Sequence, residues 1–329
     1  MIRIGLLSAA HLHIDSYAAQ LRSLPQVALT GLWDDDAERR TRKAAEYGCP
    51  AFESVEAVLD RCDAVVICSE NVHHPTLTAQ AARAGRTILC EKPLATTPEN
   101  ARTMVDLCAE AGVSLYTAFP CRFSAAFQQL IKMVRHGDLG EILAVRGTNH
   151  GQCPFGWFVD PALSGGGAVM DHTVHVTDLL RVLLGSECAS VFCEADSGLL
   201  HGDFDDTGFL TLNFENGVFA TLDASWSRPK TFPTWGDVTL GVVGTKGFIE
   251  LDMFRQQTMV YDDRRGTATY GGWGSDIDAG LIRAFIESVE TGVPHSEIAS
   301  GTDGLRAVEV VAAAYRSADT HRPEAVLRA

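Results

Sequence analysis

Three ionisable residues stand at positions suited to moving a proton on and off an alcohol. Asp171 and His175 are four apart, so on a helix they share one face, where a carboxylate can orient an imidazole and hold its tautomer. His175 would then act as general base, taking the proton of a hydroxyl while the carbon-bound hydrogen leaves as hydride. Lys92 closes the strand-like run Thr87-Ile88-Leu89-Cys90 and would contact the same oxygen, stabilising the charge that develops there. The plainer readings are a surface ion pair between Lys92 and Glu91, and an Asp171 that merely complements a helix dipole.

A hydride needs an acceptor, and the first strand-to-helix turn is the place to look for one. Dinucleotide folds carry G-x-G-x-x-G there, because glycines let the backbone approach a pyrophosphate at the helix N-terminus. Here the turn is Ser8-Ala9-Ala10-His11-Leu12-His13, with no glycine. Ser8 and Ala10 are small, so Ser8, Ala10, His11 and Leu12 are the expected phosphate contacts, although His13 demands more room than a glycine. Asp34 ends the second strand, 26 residues beyond Ser8, where an acid accepts hydrogen bonds from ribose hydroxyls. With Asp35 and Asp36 beside it, the same charge favours NAD over NADP; Asp36 also fits as an N-cap. His11-x-His13 has a second reading, a metal site shared with Asp171, of the kind found in amidohydrolase barrels. Such a barrel needs eight strand-helix units, which the second half does not supply, so no metal is expected. Gly165-Gly166-Gly167 reads as a turn bringing backbone close to a ligand. His150, Trp157, His172 and Trp273 are the expected substrate contacts, tryptophan faces being suited to stacking on sugar rings.

The elements that must position these groups fall into two patterns. Up to about residue 122, strand-like and helix-like segments alternate: strands at 2–7, 27–33, 64–68 and 87–90, helices at 14–23, 36–47, 75–84 and 98–111. This predicts a doubly wound parallel sheet, with ligands at the carboxyl ends of its strands. Beyond it lie one long helix, 167–184, and strands at 191–195, 209–214, 218–226, 238–243 and 248–251, two of them joined by the hairpin turn Asn216-Gly217. Helices are expected at 278–291 and 302–318. The second half is therefore an α+β unit built on a large, mostly antiparallel sheet.

Bulk properties exclude several functions. The chain has 329 residues and a formal charge of -15; without a basic run, nucleic acid is an unsuitable partner. No uncharged apolar stretch of about 18 residues occurs, so no membrane span is expected, and a cytoplasmic location follows by default. The nine cysteines include no C-x-x-C pair and read as reduced, largely buried thiols.

Cys90-Glu91-Lys92-Pro93-Leu94-Ala95, followed by Gly165-Gly166-Gly167-Ala168-Val169-Met170-Asp171-x-x-x-His175-x-x-Asp178, resembles the glucose-fructose oxidoreductase and inositol dehydrogenase (Gfo/Idh/MocA) family. Ser69-Glu70-Asn71-Val72-His73-His74 is similar to that family's T-P-N-x-x-H stretch, Arg122-Phe123 to its R-F pair and Gly244-Thr245-Lys246-Gly247 to its G-T-x-G hairpin. The resemblance implies an NAD-binding Rossmann domain over 1–122 and a substrate-binding, oligomerising domain over 123–329, whose last helix packs back on the first. It implies catalytic roles for Lys92, Asp171 and His175, and cofactor contacts from Ser69, Asn71, His74, Glu91, Lys92 and Arg122. It further implies a sugar, inositol or related polyol oxidised at a secondary hydroxyl, in a homo-oligomer, dimer or tetramer. Members that hydrolyse or isomerise sugars through transient oxidation, and non-catalytic sugar-sensing regulators, are the competing readings.

Overall fold

Short apolar runs without alternation, such as Ala64-Val65-Val66-Ile67, suit strands covered on both faces. The computed structural model, which describes residues 1–272 and 274–329 and only the backbone at Gln257, places them so. The first part runs β1 (Ile2–Leu7), α1 (Ile14–Ser23), β2 (Val27–Trp33), α2 (Ala37–Tyr47), β3 (Ala51–Phe52), α3 (Val55–Leu59), β4 (Ala64–Ile67), α4 (His74–Arg83), β5 (Thr87–Cys90), α5 (Pro98–Ala111) and β6 (Leu115–Thr117). The second comprises α6 (Ala125–His136), β7 (Ile142–Gly151), α7 (Pro161–Ser164), α8 (Ala168–Leu184), β8 (Cys188–Asp196), β9 (Thr207–Phe214), β10 (Phe219–Ser225), β11 (Gly236–Gly244), β12 (Gly247–Asp252) and the hairpin β13 (Gln257–Asp262) and β14 (Thr267–Gly272). The chain closes with α9 (Ile277–Thr291), β15 (Ala299–Ser300), α10 (Gly301–Thr320) and β16 (Glu324–Ala325).

The first sheet has the order β15-β6-β5-β4-β1-β2-β3, parallel except for β15. Its strand order reverses between β1 and β4, so the crevice at their carboxyl ends is the expected ligand site. Alternate residues feed opposite cores. Ile4, Leu6 and Val66 pack with α1 and α9 on one face, and Leu7, Val65 and Ile67 with α3, α4, α5 and α10 on the other. The sequence expectation assigned all of 123–329 to the second unit. Instead, Leu281, Ile282, Phe285 and Ile298 lie in the core of the first, and β15 is its seventh strand. Helix α10 joins both, with Leu305 and Val308 in the first unit's core and Val310, Ala313 and Ala314 in the second's.

The second sheet runs β12-β11-β7-β10-β9-β8-β16 and is antiparallel apart from the β7–β10 pair. Helix α8 packs on its inner face. The elements absent from the sequence expectation include α6 and β7, although β7 is central to the sheet. Its inward positions are Val145, Gly147, Asn149 and Gly151, so the apolar alternation that signals a strand is missing. The glycines leave room for α8: a Cβ at Gly147 would stand 2.9 Å from Val176 Cγ1, and one at Gly151 2.8 Å from His172 Cε1.

Candidate active site

Lys92 and Asp171 come from different units and meet where β5 ends beside the first turn of α8. Lys92 Nζ lies 2.5 Å from Asp171 Oδ1 and 3.4 Å from the Asp171 carbonyl oxygen. Trp226 donates its indole N–H to Asp171 Oδ2 at 3.1 Å, and His172 Nε2 is 3.3 Å from the same oxygen. Burial works against a charge on Asp171, but the Lys92 ammonium outweighs it and holds the carboxyl well below the usual range.

Helix α8 starts at this point because its first amides are capped from outside. The Asp205 carboxylate accepts from Gly167 N at 3.0 Å and Val169 N at 2.6 Å, and the Tyr315 hydroxyl accepts from Gly167 and Met170. A Cβ on Gly167 would stand 1.9 Å from the Asp205 carbonyl oxygen. The triple glycine thus lets α8 start against a neighbouring loop of its own chain, and its third member is fixed by close approach.

His175 corrects the expectation that Asp171 orients it. The carboxylate is taken up by Lys92, Trp226 and His172, and among the described residues the side chain within reach of His175 Nδ1 is Cys121, whose Sγ is 4.0 Å away. Four residues along a helix bring side chains to one face, but the stronger Lys92 charge draws the carboxylate away. Burial pushes the Cys121 thiol up to about 12, so it stays protonated. Burial, aided by the Lys92 charge, holds His175 well below its ordinary value, so the imidazole is neutral at physiological pH.

A cavity of about 400 Å³ joins these groups; its wall includes His11, His13, Lys92, Asp171, His172 and His175. A smaller one, about 200 Å³, is bordered by Ser8, Trp33, Asp35, Ser69, Glu70 and His73. The two flank the β1–α1 turn, one lined by Ser8 and the other by His11, Leu12 and His13. A dinucleotide laid across the turn, with its nucleoside in the smaller cavity and its nicotinamide in the larger, fits this arrangement.

Several expected contacts have other duties. Asp34 is fully buried and accepts from Ser8 Oγ, Ala9 N, Asp36 N and the Arg39 guanidinium; Asp35 borders the nucleoside-sized cavity in its place. The Arg122 guanidinium is bound by both oxygens of Asp178, at 2.7 and 2.5 Å, and is a strut between the two units. Asn71 donates to the Ser164 carbonyl at 2.8 Å, and the His74 ring is held among the carbonyls of Ser69, Pro93 and Leu94, bracing the loop that carries Lys92. The Ser69 hydroxyl donates to the Glu70 carbonyl. Glu91 is fully buried and accepts from Lys92 N at 3.0 Å. Trp157 stacks on Phe158, with ring centroids 3.9 Å apart, and donates its indole N–H to the Ala10 carbonyl at 3.2 Å, so it clamps the cofactor turn.

His150 alternates with the inward residues of β7 and stands on the outer sheet face, both ring nitrogens engaged, Nε2 with Asp223 at 2.8 Å and Nδ1 with Asp237 at 2.8 Å. Asn149 holds the inward position, and both Asn149 and His150 border the cavity. His172 lines it too, with its Nδ1 buried and without a partner among the described residues. Trp273 lies outside the described residues. Sequence reading missed Cys121, Trp226 and Trp235; only the last, half exposed at the cavity rim, carried a usable signal, as an aromatic in a polar loop.

Comparison with known proteins agrees with this geometry. Residues 4–119 match the model of the oxidoreductase family with an NAD-binding Rossmann fold, and residues 127–250 match a Gfo/Idh/MocA C-terminal domain. An inositol 2-dehydrogenase of Rhizobium meliloti is 30% identical over 96% of this chain and 96% of its own. The chain belongs to the Gfo/Idh/MocA oxidoreductase family. A myo-inositol 2-dehydrogenase of Thermotoga maritima is 28% identical over 98% of this chain and 97% of its own. Among solved structures, GenD2 from gentamicin A biosynthesis, in complex with NAD, superposes with a TM-score of 0.90 at 24% identity over 99% of this chain and 96% of its own, a likeness of fold. As a member of the family, the chain is an oxidoreductase whose first unit is an NAD-binding Rossmann fold. Among the described residues no helix is long and apolar enough to cross a membrane.

Proposed function

We propose that this chain is an NAD-dependent dehydrogenase that oxidises a secondary hydroxyl of a cyclic polyol or sugar. One observation carries the reading: a neutral, buried imidazole, His175, and an ammonium, Lys92, line the same cavity at the carboxyl end of β5, beside the dinucleotide turn. The named activities of the inositol and D-glucoside dehydrogenases that the chain resembles support this substrate class.

In this reading His175 receives the hydroxyl proton on its free nitrogen. Lys92 donates to the same oxygen, lowering the cost of the charge that builds on it as the C–H bond breaks. Asp171 keeps the ammonium in place, and Trp226 with His172 keeps Asp171 in place. The nicotinamide, when bound, supplies the two-electron acceptor. His172 and Trp235 are assigned to the substrate hydroxyls and ring face.

The outer face of the second sheet supports a homo-oligomer. Phe248, Val243, Ala144 and Phe219 are direct cross-strand neighbours over four strands, and the three large ones are between 40% and 56% exposed. The nine cysteines are all free, which suits a reducing, cytoplasmic setting.

The test is incubation of the purified protein with NAD and a panel of inositols, pyranoses and glycosides, read as absorbance at 340 nm. Net NADH with at least one cyclic polyol or sugar is expected. NAD binding without NADH formation on any panel member would overturn the dehydrogenase reading.

A further inference from the structure

The turn that faces the cofactor has few amides to offer. Ala9 N–H donates to Asp34 at 2.6 Å, Ala10 N–H to Ser8 Oγ at 3.2 Å, His11 N–H to the Cys68 carbonyl at 2.9 Å and His13 N–H to His11 Nδ1 at 3.2 Å. In glycine-rich turns such amides point at the phosphates. Here these four are spent inside the protein and only Leu12 N–H has no acceptor among the described residues, while the first position, Ser8, holds a φ of 69°, which a glycine adopts without cost.

Two imidazoles stand in the same place. His11 is 1% exposed, packed edge-on to His13 at 4.6 Å and against Phe158 at 5.2 Å. Because its Nδ1 accepts the His13 amide, its proton sits on Nε2, and that atom is buried without a partner among the described residues. A buried N–H left unpaired is destabilising unless a ligand accepts it. His13 Nδ1 lies 3.1 Å from Glu91 Oε1, while its Nε2 has no partner among the described residues. Burial pulls the His13 pKa down, but the charge and hydrogen bond of Glu91 outweigh it and the net shift is upward, in the direction that favours a proton on both ring nitrogens.

We infer that His11 and His13 replace the missing glycine-turn amides and bind the pyrophosphate of the dinucleotide through their Nε2–H groups. The inference rests on the NAD reading above. Glu91 is the nearest opposing charge, and its pairing with His13 cancels it. Asp278 also lines the cavity; it accepts from Ser16 Oγ at 2.6 Å, and burial raises its pKa, weakening its repulsion of an anion. The ring nitrogens of His11 and His13 and a Glu91 oxygen also lie within 4.8 Å of one another, near enough to share a metal ion. But the Nδ1 lone pair of His11 is occupied by an amide and His13 Nδ1 faces a carboxylate, so an anion at the Nε2 side is the better match.

The experiment is titration calorimetry of the full chain with NAD, ADP-ribose and adenosine, for the natural protein and for His13→Gln and His11→Asn, with circular dichroism melts as the check on folding. A loss of about ten- to hundredfold in affinity for both NAD and ADP-ribose is expected in each variant, with adenosine changed less than twofold. His13→Gln, at the less buried site, decides the matter should His11→Asn fail to fold. Unchanged ADP-ribose affinity overturns the inference and leaves the NAD reading intact. So does stoichiometric zinc in the dialysed natural protein that the variants lack, since the pair would then serve a cation. If the natural protein binds neither NAD nor ADP-ribose, the NAD reading itself falls.

Discussion

Asp171 receives Lys92, Trp226 and His172 on two oxygens, so its removal should act through Lys92 and not through His175. Asp171→Asn is expected to lower kcat about 10- to 100-fold while leaving the acid limb of the kcat/KM profile where it was; steady-state kinetics across pH checks both. His175→Asn should cost about 10²–10⁴ in kcat, the range for a lost general base. The position of the acid limb is itself a test. Because burial and Lys92 hold the His175 pKa well below 6.5, the base stays unprotonated as pH falls through 6.5, and kcat/KM should remain flat there. A limb centred at 6.5 that disappears in His175→Asn would show an exposed imidazole and refute the burial argument. At this scale the sequence made the three residues legible through their spacing. It did not show which carboxylate oxygen goes where, because that depends on Lys92 and Trp226, brought in by elements 50 residues or more away.

Element by element, helices with N-caps and glycine stops were the most legible. Asp36 caps α2 through the amides of Glu38 and Arg39, and Gly112 ends α5 at a φ of 68°. Strand β7 was not, since its inward face carries Gly147, Asn149 and Gly151 and is filled by α8 instead of by its own side chains. The same fact makes a prediction about the helix–sheet contact. Gly151→Ala puts a methyl 2.8 Å from His172, which must rotate or push α8 outward. A loss of about 1–3 kcal/mol is expected from denaturant unfolding, with a rise in substrate KM that exceeds any change in NAD affinity. Unchanged stability and KM would mean that His172 yields freely and takes no part in shaping the cavity.

For the whole molecule, the proposed homo-oligomer and a predicted pH dependence both rest on the outer sheet face. Phe248, Val243, Ala144 and Phe219 form an apolar row, and six residues further along β7 His150 is clamped by Asp223 and Asp237, with Arg228 donating to Asp237. A monomer would leave that row in water. Phe219→Glu is therefore expected to shift the mass by light scattering from a multiple of the 35.5 kDa chain to the monomer, while NAD still binds; an unchanged mass would place the interface elsewhere. The clamp titrates in a stated direction. Burial lowers the His150 pKa, but the hydrogen bonds to Asp223 and Asp237 outweigh it and raise it to about 9, against about 6.5 in the unfolded chain. The imidazolium thus contributes its full stabilisation below pH 6.5 and loses it as pH rises through 9. At least on the order of 1 kcal/mol is expected to vanish between pH 6.5 and 9.5 in the natural protein, beyond any loss in His150→Gln, when thermal or urea unfolding is followed at fixed protein concentration. Equal pH slopes in the two proteins would show that the two aspartates do not hold His150 charged. A slope difference that persists in Phe219→Glu would locate the effect within one chain, and one that vanishes there would tie the clamp to the interface.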